Sequence, residues 1–348
     1  MVSTNHASWW WLSATMSTVF IVILINLWIQ MNEYTVDPVQ LTDEASAVKY
    51  INKYIKEDEL KNNAGDEGST IKIKTGLFIQ SLKFSSFSEV NLTGYLWQNY
   101  EKWQLDALDL KEEELGVIFP EQINSGSDIE PREVYRVEDS DSLVIGWYFE
   151  ATLRQAFDYS NYPFDHKTVW VRMWPKSFSK NIILEPDFSA YNSTDKADIF
   201  GIENDIVLER WERKNTYFDY KLSSYTTNFG IHGEMGKQNF PELYYNFVVQ
   251  RKFENAFIVY LLPLFLVAAL LFMALLTVSE KEELSTRLGF SASGFIGASS
   301  ALFFVVMLAH IQLRQQFAGS GIVYIEYFYI LMYALLVSAT ANVYFFSI

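Results

Sequence analysis

The sequence predicts an all-β, immunoglobulin-like sandwich outside the membrane, joined to an α-helical transmembrane bundle. Three observations carry that expectation. Residues 9–30, 256–278, 284–310 and 322–346 are each long and apolar enough to cross a bilayer, which takes about 20 residues as a helix. From Ile71 to about residue 252 the chain reads as short runs, many alternating apolar with polar and separated by turn residues, the pattern of a β-sandwich. Of 27 basic and 42 acidic side chains, five of each lie in 251–348 and none in 1–32, so the whole net charge of −15 falls on 33–250. The expected divisions are therefore 1–32, a membrane helix; 33–70, an amphipathic helix and linker; 71–250, the sandwich; and 251–348, three membrane helices.

Taken in order, residues 1–8 carry no Lys or Arg, the apolar run after them exceeds a usual signal core, and no small-x-small cleavage site follows before Asn32. The first span is thus expected as a retained helix rather than a cleaved signal. Four crossings, with the large domain after the first, put both termini in the cytoplasm and 33–250 outside the cell (inner) membrane, in extracellular or periplasmic space. Lys281 and Arg287 mark the cytoplasmic turn, each beside acids. Ala47, Val48, Ile51, Tyr54 and Ile55 make a helical stripe within residues 41–60, with Thr42 offering an N-cap, and 61–69 (KNNAGDEGS) is a linker. The runs that follow are IKIKTGLFIQSLKF, NLTGYLWQNY, SLVIGWYFEATLRQAFDY, HKTVWVRMW, NIILEP, DIVLERW, NTYFDYKLSSYTTNF and ELYYNFVVQRKF.

An acidic exported domain draws cations and repels nucleic acid and anionic lipid; equally, its charge can serve solubility alone. With no cysteine, burial must stabilise it without disulfides. The four His residues are scattered, no metal-ligand spacing occurs, and there is no Gly-rich phosphate loop or nucleophile motif. No enzyme activity, metal, cofactor or nucleic-acid partner is expected. His232 and Glu234, in the segment 230–241, could sense protons or bind metal, against the plainer reading of a solvated loop.

Three motifs, in order, resemble the pentameric ligand-gated ion channels known as Cys-loop receptors, in the cysteine-free form of bacterial members. Tyr162-Pro163-Phe164-Asp165 is similar to the family's Phe-Pro-Phe-Asp; the two cysteines that flank it in animal members correspond to Gln155 and Val169, with the same thirteen residues between. FVVQRKFENAFIVYLLP puts Arg251 at the end of the last strand and Pro263 twelve positions on, the family spacing. Arg287-Leu-Gly-Phe-Ser-Ala-Ser-Gly-Phe-Ile296 resembles the start of the pore-lining helix. The likeness covers roughly 71–346. It departs at LAHIQLRQQFAGSGIVYIEY, which lacks the usual Leu-Pro and is longer than usual.

The resemblance implies a homopentamer in the lipid bilayer, with permeating ions on its axis and a small-molecule ligand at subunit interfaces. Helical spacing from Arg287 puts Gly289, Ser293, Ile296, Ser300, Phe303 and Met307 on one face, with apolar rings at Ile296 and Phe303 suited to a dewetting gate. Tight packing of small residues is the competing account of that stripe. Glu282, Glu283, Thr286 and Arg287 form the cytoplasmic mouth; cations are expected because the vestibule is acidic. Ligand-site candidates by position are Phe119, Trp174, Phe178, Phe240 and Tyr244 on one side and Tyr95 and Trp97 on the other, and aromatic faces suit a cationic amine. Each of these rings can equally be core. Gating would be coupled through Phe87, Glu89, Pro163, Phe164, Asp165, Arg251 and Pro263, with Asp165 and Arg251 as an ion pair.

The family has four membrane helices after its exported domain; here there are three, and one before it. Residues 9–30 run in the same direction as the missing one, so they either fill its peripheral slot or are an added anchor on a shortened bundle. A non-conducting receptor of the same architecture and a proton-gated channel are the rival functions.

Overall fold

The computed structural model describes residues 6–35, 39–54, 70–123, 130–177, 179–196, 198–227, 229–230, 240–277, 292–317 and 319–346. The chain divides into two compact units: 36–157 with 167–250, and 1–35 with 158–166 and 251–348. The stretch 158–166, which lies mid-way along the predicted β region, belongs to the helical unit.

The first unit is built on two β-sheets. One has the order β4-β5-β2-β1-β7, from Arg132–Glu138, Ser142–Arg154, Glu89–Glu101, Ile71–Phe84 and Ile182–Pro186. The other runs β3-β6-β9-β8, from Val117–Ile118, His166–Pro175, Phe240–Arg251 and Trp211–Ser223. Period-two alternation decides which side chains turn inward. On β2, Val90, Leu92, Gly94, Leu96, Gln98 and Tyr100 are buried and the positions between them are open or half-open. Val90, Leu92, Leu96 and Tyr100 meet Leu77 and Ile79 of β1 and Val171, Phe218, Tyr245 and Phe247 of the second sheet in one apolar core. β9 breaks the alternation, being buried from Pro241 to Gln250 on both faces, because its outer face carries a polar network described below.

Register is fixed antiparallel between β1 and β2 (Leu77 opposite Leu96) and between β2 and β5 (Leu96 opposite Trp147), and parallel between β1 and β7 (Ile73 opposite Leu184). A bulge between Ile79 and Ser81 pushes backbone against Gly94, where a Cβ would come within 2.1 Å of the Phe78 carbonyl oxygen. Only glycine fits there.

Helix α2 (Glu44–Tyr54) buries Ala47 and Ile51 completely, as the stripe predicts. Its cap differs from expectation. Asp43, not Thr42, accepts the Ser46 amide at 2.7 Å, while Ser46 Oγ takes the Thr42 and Asp43 amides, a reciprocal arrangement that starts the helix one residue later. Ile55 and the linker lie outside the described residues.

Among the described residues of the helical unit, four helices are long and apolar enough to cross a membrane. They are α1 (His6–Asn32), α4 (Phe253–Thr277), α5 (Ala292–Gln316) and α6 (Glu326–Phe346), α3 being the short Lys102–Leu108 of the sheet unit. Helix α5 continues past His310 to Gln316, beyond the apolar stretch read from the sequence, and Arg314 near its end pairs with Glu326. In α4 the turn Phe257–Leu261 is widened, with the Leu262 amide reaching back to the Phe257 carbonyl. Pro263 follows directly. Lacking an N–H, it cannot serve the Val259 carbonyl, and the wider turn absorbs that loss.

Candidate functional site

The helical unit gathers its connections around the loop 158–166. Arg251 donates from Nε to Asp165 Oδ1 at 2.6 Å and from Nη2 to Oδ2 at 3.0 Å, and the Arg251 amide bonds the Asp165 carbonyl at 3.2 Å. The Asp165 side chain is 1% exposed and that of Arg251 12%, so the forked pair is shielded from water. The guanidinium also lies 4.7 Å from the Tyr162 ring centroid. Burial alone would lower the Arg251 pKa; the hydrogen bond and charge of Asp165 outweigh it and hold the side chain cationic. The Tyr162–Pro163 peptide between these groups is cis.

The same loop holds the segment between α5 and α6. The Tyr324 amide bonds the Ser160 carbonyl at 2.8 Å and the Ile325 amide the Tyr162 carbonyl at 3.2 Å, while Phe317 packs against Tyr162 and Tyr159 at 4.6 and 5.3 Å. Phe317, Tyr324 and Ile325 thus fasten the segment between α5 and α6 to this loop. Glu326 organises its far side: the buried carboxylate accepts the Val323 amide at 2.8 Å, Arg314 at 3.2 Å and the His310 ring nitrogen at 3.3 Å. Arg314 in turn donates to the Ser320 and Gly321 carbonyls at 2.7 and 2.8 Å. A triad of polar, ionisable side chains so close to the end of an apolar helix is retained because each member has hydrogen-bond partners.

Helix α1 reaches the same place through Trp28. Its indole sits 5.6 Å from Phe164, 5.4 Å from Phe253 and 6.3 Å from Phe328, and Nε1 donates to the Tyr324 hydroxyl at 3.1 Å. Leu24, Trp28 and Met31, at helical spacing, are half-buried on that face, while Trp10 and Trp11 are 69% and 76% exposed. Phe164 stacks on Phe253 at 5.0 Å, so one aromatic cluster ties α1, the loop and the starts of α4 and α6.

Of the expected pore stripe, Ser293 and Ser300 are exposed and Ile296, Phe303 and Met307 half-buried, while Phe295, Ser299, Val306 and Leu313 fill the buried face of α5. Ile296, Ser300 and Phe303 line one wall of a groove of about 600 Å³ between α5 and α6, and Phe303 leans on Tyr333 at 5.4 Å. Gly289, Glu282, Glu283, Thr286 and Arg287 lie outside the described residues, as do Phe178, His232 and Glu234.

Of the expected ligand aromatics in the sheet unit that are described, Trp174 and Phe240 line one small pocket with Glu242. Phe119 is 5% exposed and packs in the core against Phe149 at 5.0 Å, and Phe240 packs against that core. Tyr244 stands beside Trp170 at 5.6 Å with the Lys221 ammonium 4.5 Å from its ring, and burial pushes its hydroxyl up to about 12. Tyr95 meets Tyr148 at 5.5 Å; Trp97 donates to Asp187 at 3.0 Å and covers Gly76, where a Cβ would strike the indole at 2.2 Å. Trp174 faces the half-buried Tyr225 at 5.6 Å and the exposed Phe229 at 6.3 Å, and donates to Glu242 at 2.8 Å. Tyr225, Phe229, Glu242, Arg172 and Trp28 escaped the sequence reading. Alternation along HKTVWVRMW does put Trp170, Arg172 and Trp174 on one face, a signal that could have found Arg172.

Phe87 is 49% exposed on the loop before β2, and Glu89 pairs with Arg154 at 2.9 Å. Gln155 sits where a flanking cysteine would be. Its side-chain amide donates to the Trp170 carbonyl and accepts the Trp170 amide at 3.3 Å, so a buried glutamine bridges these strands by two hydrogen bonds.

Comparison with protein-family models finds none that matches the chain, and comparison with curated proteins finds no match. What the chain does has to be read from its own residues.

Proposed function

We propose that the chain is one subunit of a homopentameric, ligand-gated and cation-conducting channel of the Cys-loop receptor type, with its sheet unit outside the cell membrane and both termini in the cytoplasm. The observation that carries this reading is the convergence on one loop. Residues 158–166 bind Arg251 at the foot of α4, the backbone between α5 and α6, and Trp28 of α1. A loop inserted between two β-strands and fastened to three separate helical connections is suited to move those helices together.

Five copies of the Ser293–Met307 face around one axis would enclose water that no single copy encloses, and Ile296 and Phe303 would close it by dewetting. Helix α1 would take the place of a fourth, peripheral helix: Trp28 seats it against the starts of α4 and α6, and large apolar side chains such as Phe20, Val22 and Ile29 are exposed along the rest of it. A small ligand at the rim where Trp174, Tyr225 and Phe229 cluster would act on this machinery through the sheets. The geometry there weakens the case for a simple amine, because Arg172 already lies over Trp174 at 5.2 Å and pairs with Glu242 at 3.3 Å.

Reconstitution in planar bilayers tests the proposal. Discrete currents that grow with Ile296→Ala support a channel; a purified assembly without current in any condition, with wild-type and Ile296→Ala alike silent, contradicts it.

A further inference from the structure

The two sheets are strapped together at one edge by three ionisable side chains. After β3 the chain crosses from the four-stranded sheet to the five-stranded one, where the Ile123 amide bonds the Thr152 carbonyl at 2.9 Å and the Arg154 amide bonds the Glu121 carbonyl at 3.0 Å. Glu121 is thus anchored to the end of β5. Its carboxylate reaches back to Arg172 on β6, which also pairs with Glu242 on β9 at 3.3 Å. Exposure of the three side chains is 12%, 19% and 5%.

The two carboxylates are not equivalent. Glu242 accepts Trp174 Nε1 at 2.8 Å, the Tyr225 hydroxyl at 2.6 Å and Ser223 Oγ at 2.7 Å besides Arg172, so its charge is well solvated by protein. Glu121 accepts from Arg172 through Oε1; Oε2 is buried with no side-chain hydrogen-bond partner among the described residues. The groups facing the strap are Arg172, Glu242, Tyr225 and Tyr244, and the sum over the two carboxylates and one guanidinium is a net negative charge in a low-dielectric site. When one cation serves two buried anions, the less solvated anion is the one that takes a proton.

We propose that Glu121 is a proton-binding site of the sheet unit, and that its protonation releases the strap between the two sheets. Burial, reinforced by the neighbouring Glu242 and opposed by Arg172, raises the affinity of this carboxyl for its proton above the ordinary glutamate range. The neutral acid no longer holds the guanidinium, Arg172 settles on Glu242 alone, and residues 121–123 are left with their backbone bonds to β5. The proposal concerns the sheet unit and does not depend on whether the chain conducts.

Glu121→Gln keeps the shape and removes the charge, so it imitates the protonated state. Two measurements on the full-length, detergent-solubilised chain test it. Infrared difference spectra recorded as pH is lowered should show a carboxylic-acid carbonyl band appearing at higher pH than the bulk of the carboxyls, and that band should be lost in Glu121→Gln and retained in Glu242→Gln. Amide hydrogen exchange at Ile123 and Arg154 should be about tenfold or more faster in Glu121→Gln than in wild type at neutral pH, the size expected from a lost charge-assisted bond, with the difference vanishing in acid. Arg172→Gln should move proton uptake to higher pH by about one unit or more. A band unchanged by Glu121→Gln, or equal protection of those amides at neutral pH, overturns the proposal.

Discussion

The forked pair between Asp165 and Arg251 offers the most quantitative test of how the helical unit is held. Both partners are nearly out of water, the two hydrogen bonds measure 2.6 and 3.0 Å, and the guanidinium has Tyr162 on one face. Asp165→Ala strands a buried cation and Arg251→Ala a buried anion, so each single change should cost about 3–5 kcal/mol. At roughly 2–4 °C per kcal/mol, that is a fall in Tm of roughly 6–20 °C. The double variant leaves neither charge behind. It should cost less than the two singles together by about 0.5–3 kcal/mol, the range for coupled neighbours. Thermal unfolding of the solubilised chain, followed by tryptophan fluorescence, supplies all three values. Additive losses, or single variants within about 0.5 kcal/mol of wild type, would refute the claim that this pair fastens the loop to α4.

Three further outcomes follow from the contacts. Trp28→Ala should lose roughly 1–3 kcal/mol by removing three aromatic contacts and one hydrogen bond, and Trp28→Phe should recover most of it; protease accessibility of α1 in liposomes reports the same change. Gln155→Leu fills similar space but leaves the Trp170 amide and carbonyl unserved, so it should cost roughly 1–3 kcal/mol by the same thermal assay. Glu185 is held protonated to higher pH than usual, first by burial, with Lys72 at 3.8 Å opposing. Its folded-state pKa lies above the unfolded one, so stability falls as pH rises between the two, and the penalty is full above the folded value. Glu185→Gln should therefore raise Tm at neutral pH and match wild type in acid; a constant difference at every pH would contradict this.

Much of the architecture was legible because it depends on period and length. Alternation in IKIKTGLFIQSLKF and NLTGYLWQNY gives the inward faces of β1 and β2, and four apolar stretches give four helices. The pairing of Asp165 with Arg251 was also legible, though 86 residues separate them, because each sits in a recognisable motif. What escaped has a common physical cause. Trp28 acts through rings far apart in sequence, Arg172 through carboxylates on two other elements, and the cap of α2 through a one-residue choice between Thr42 and Asp43 that propensity does not resolve. Phe119 follows the plainer of its two readings: the ring is buried in the core against Phe149.

The proposed channel stands or falls on whether the exposed side of α5 meets water on an axis shared by several copies. The chain contains no cysteine, so single cysteines at Ser293, Ile296 and Ser300 can be probed without background. With the protein in bilayers, a water-soluble thiol reagent should modify these three and block current, while cysteines at Phe295 and Leu313, on the buried face, stay unreacted. Shielding of all three stripe positions in every condition, together with a monomeric mass for the purified protein, would contradict the account.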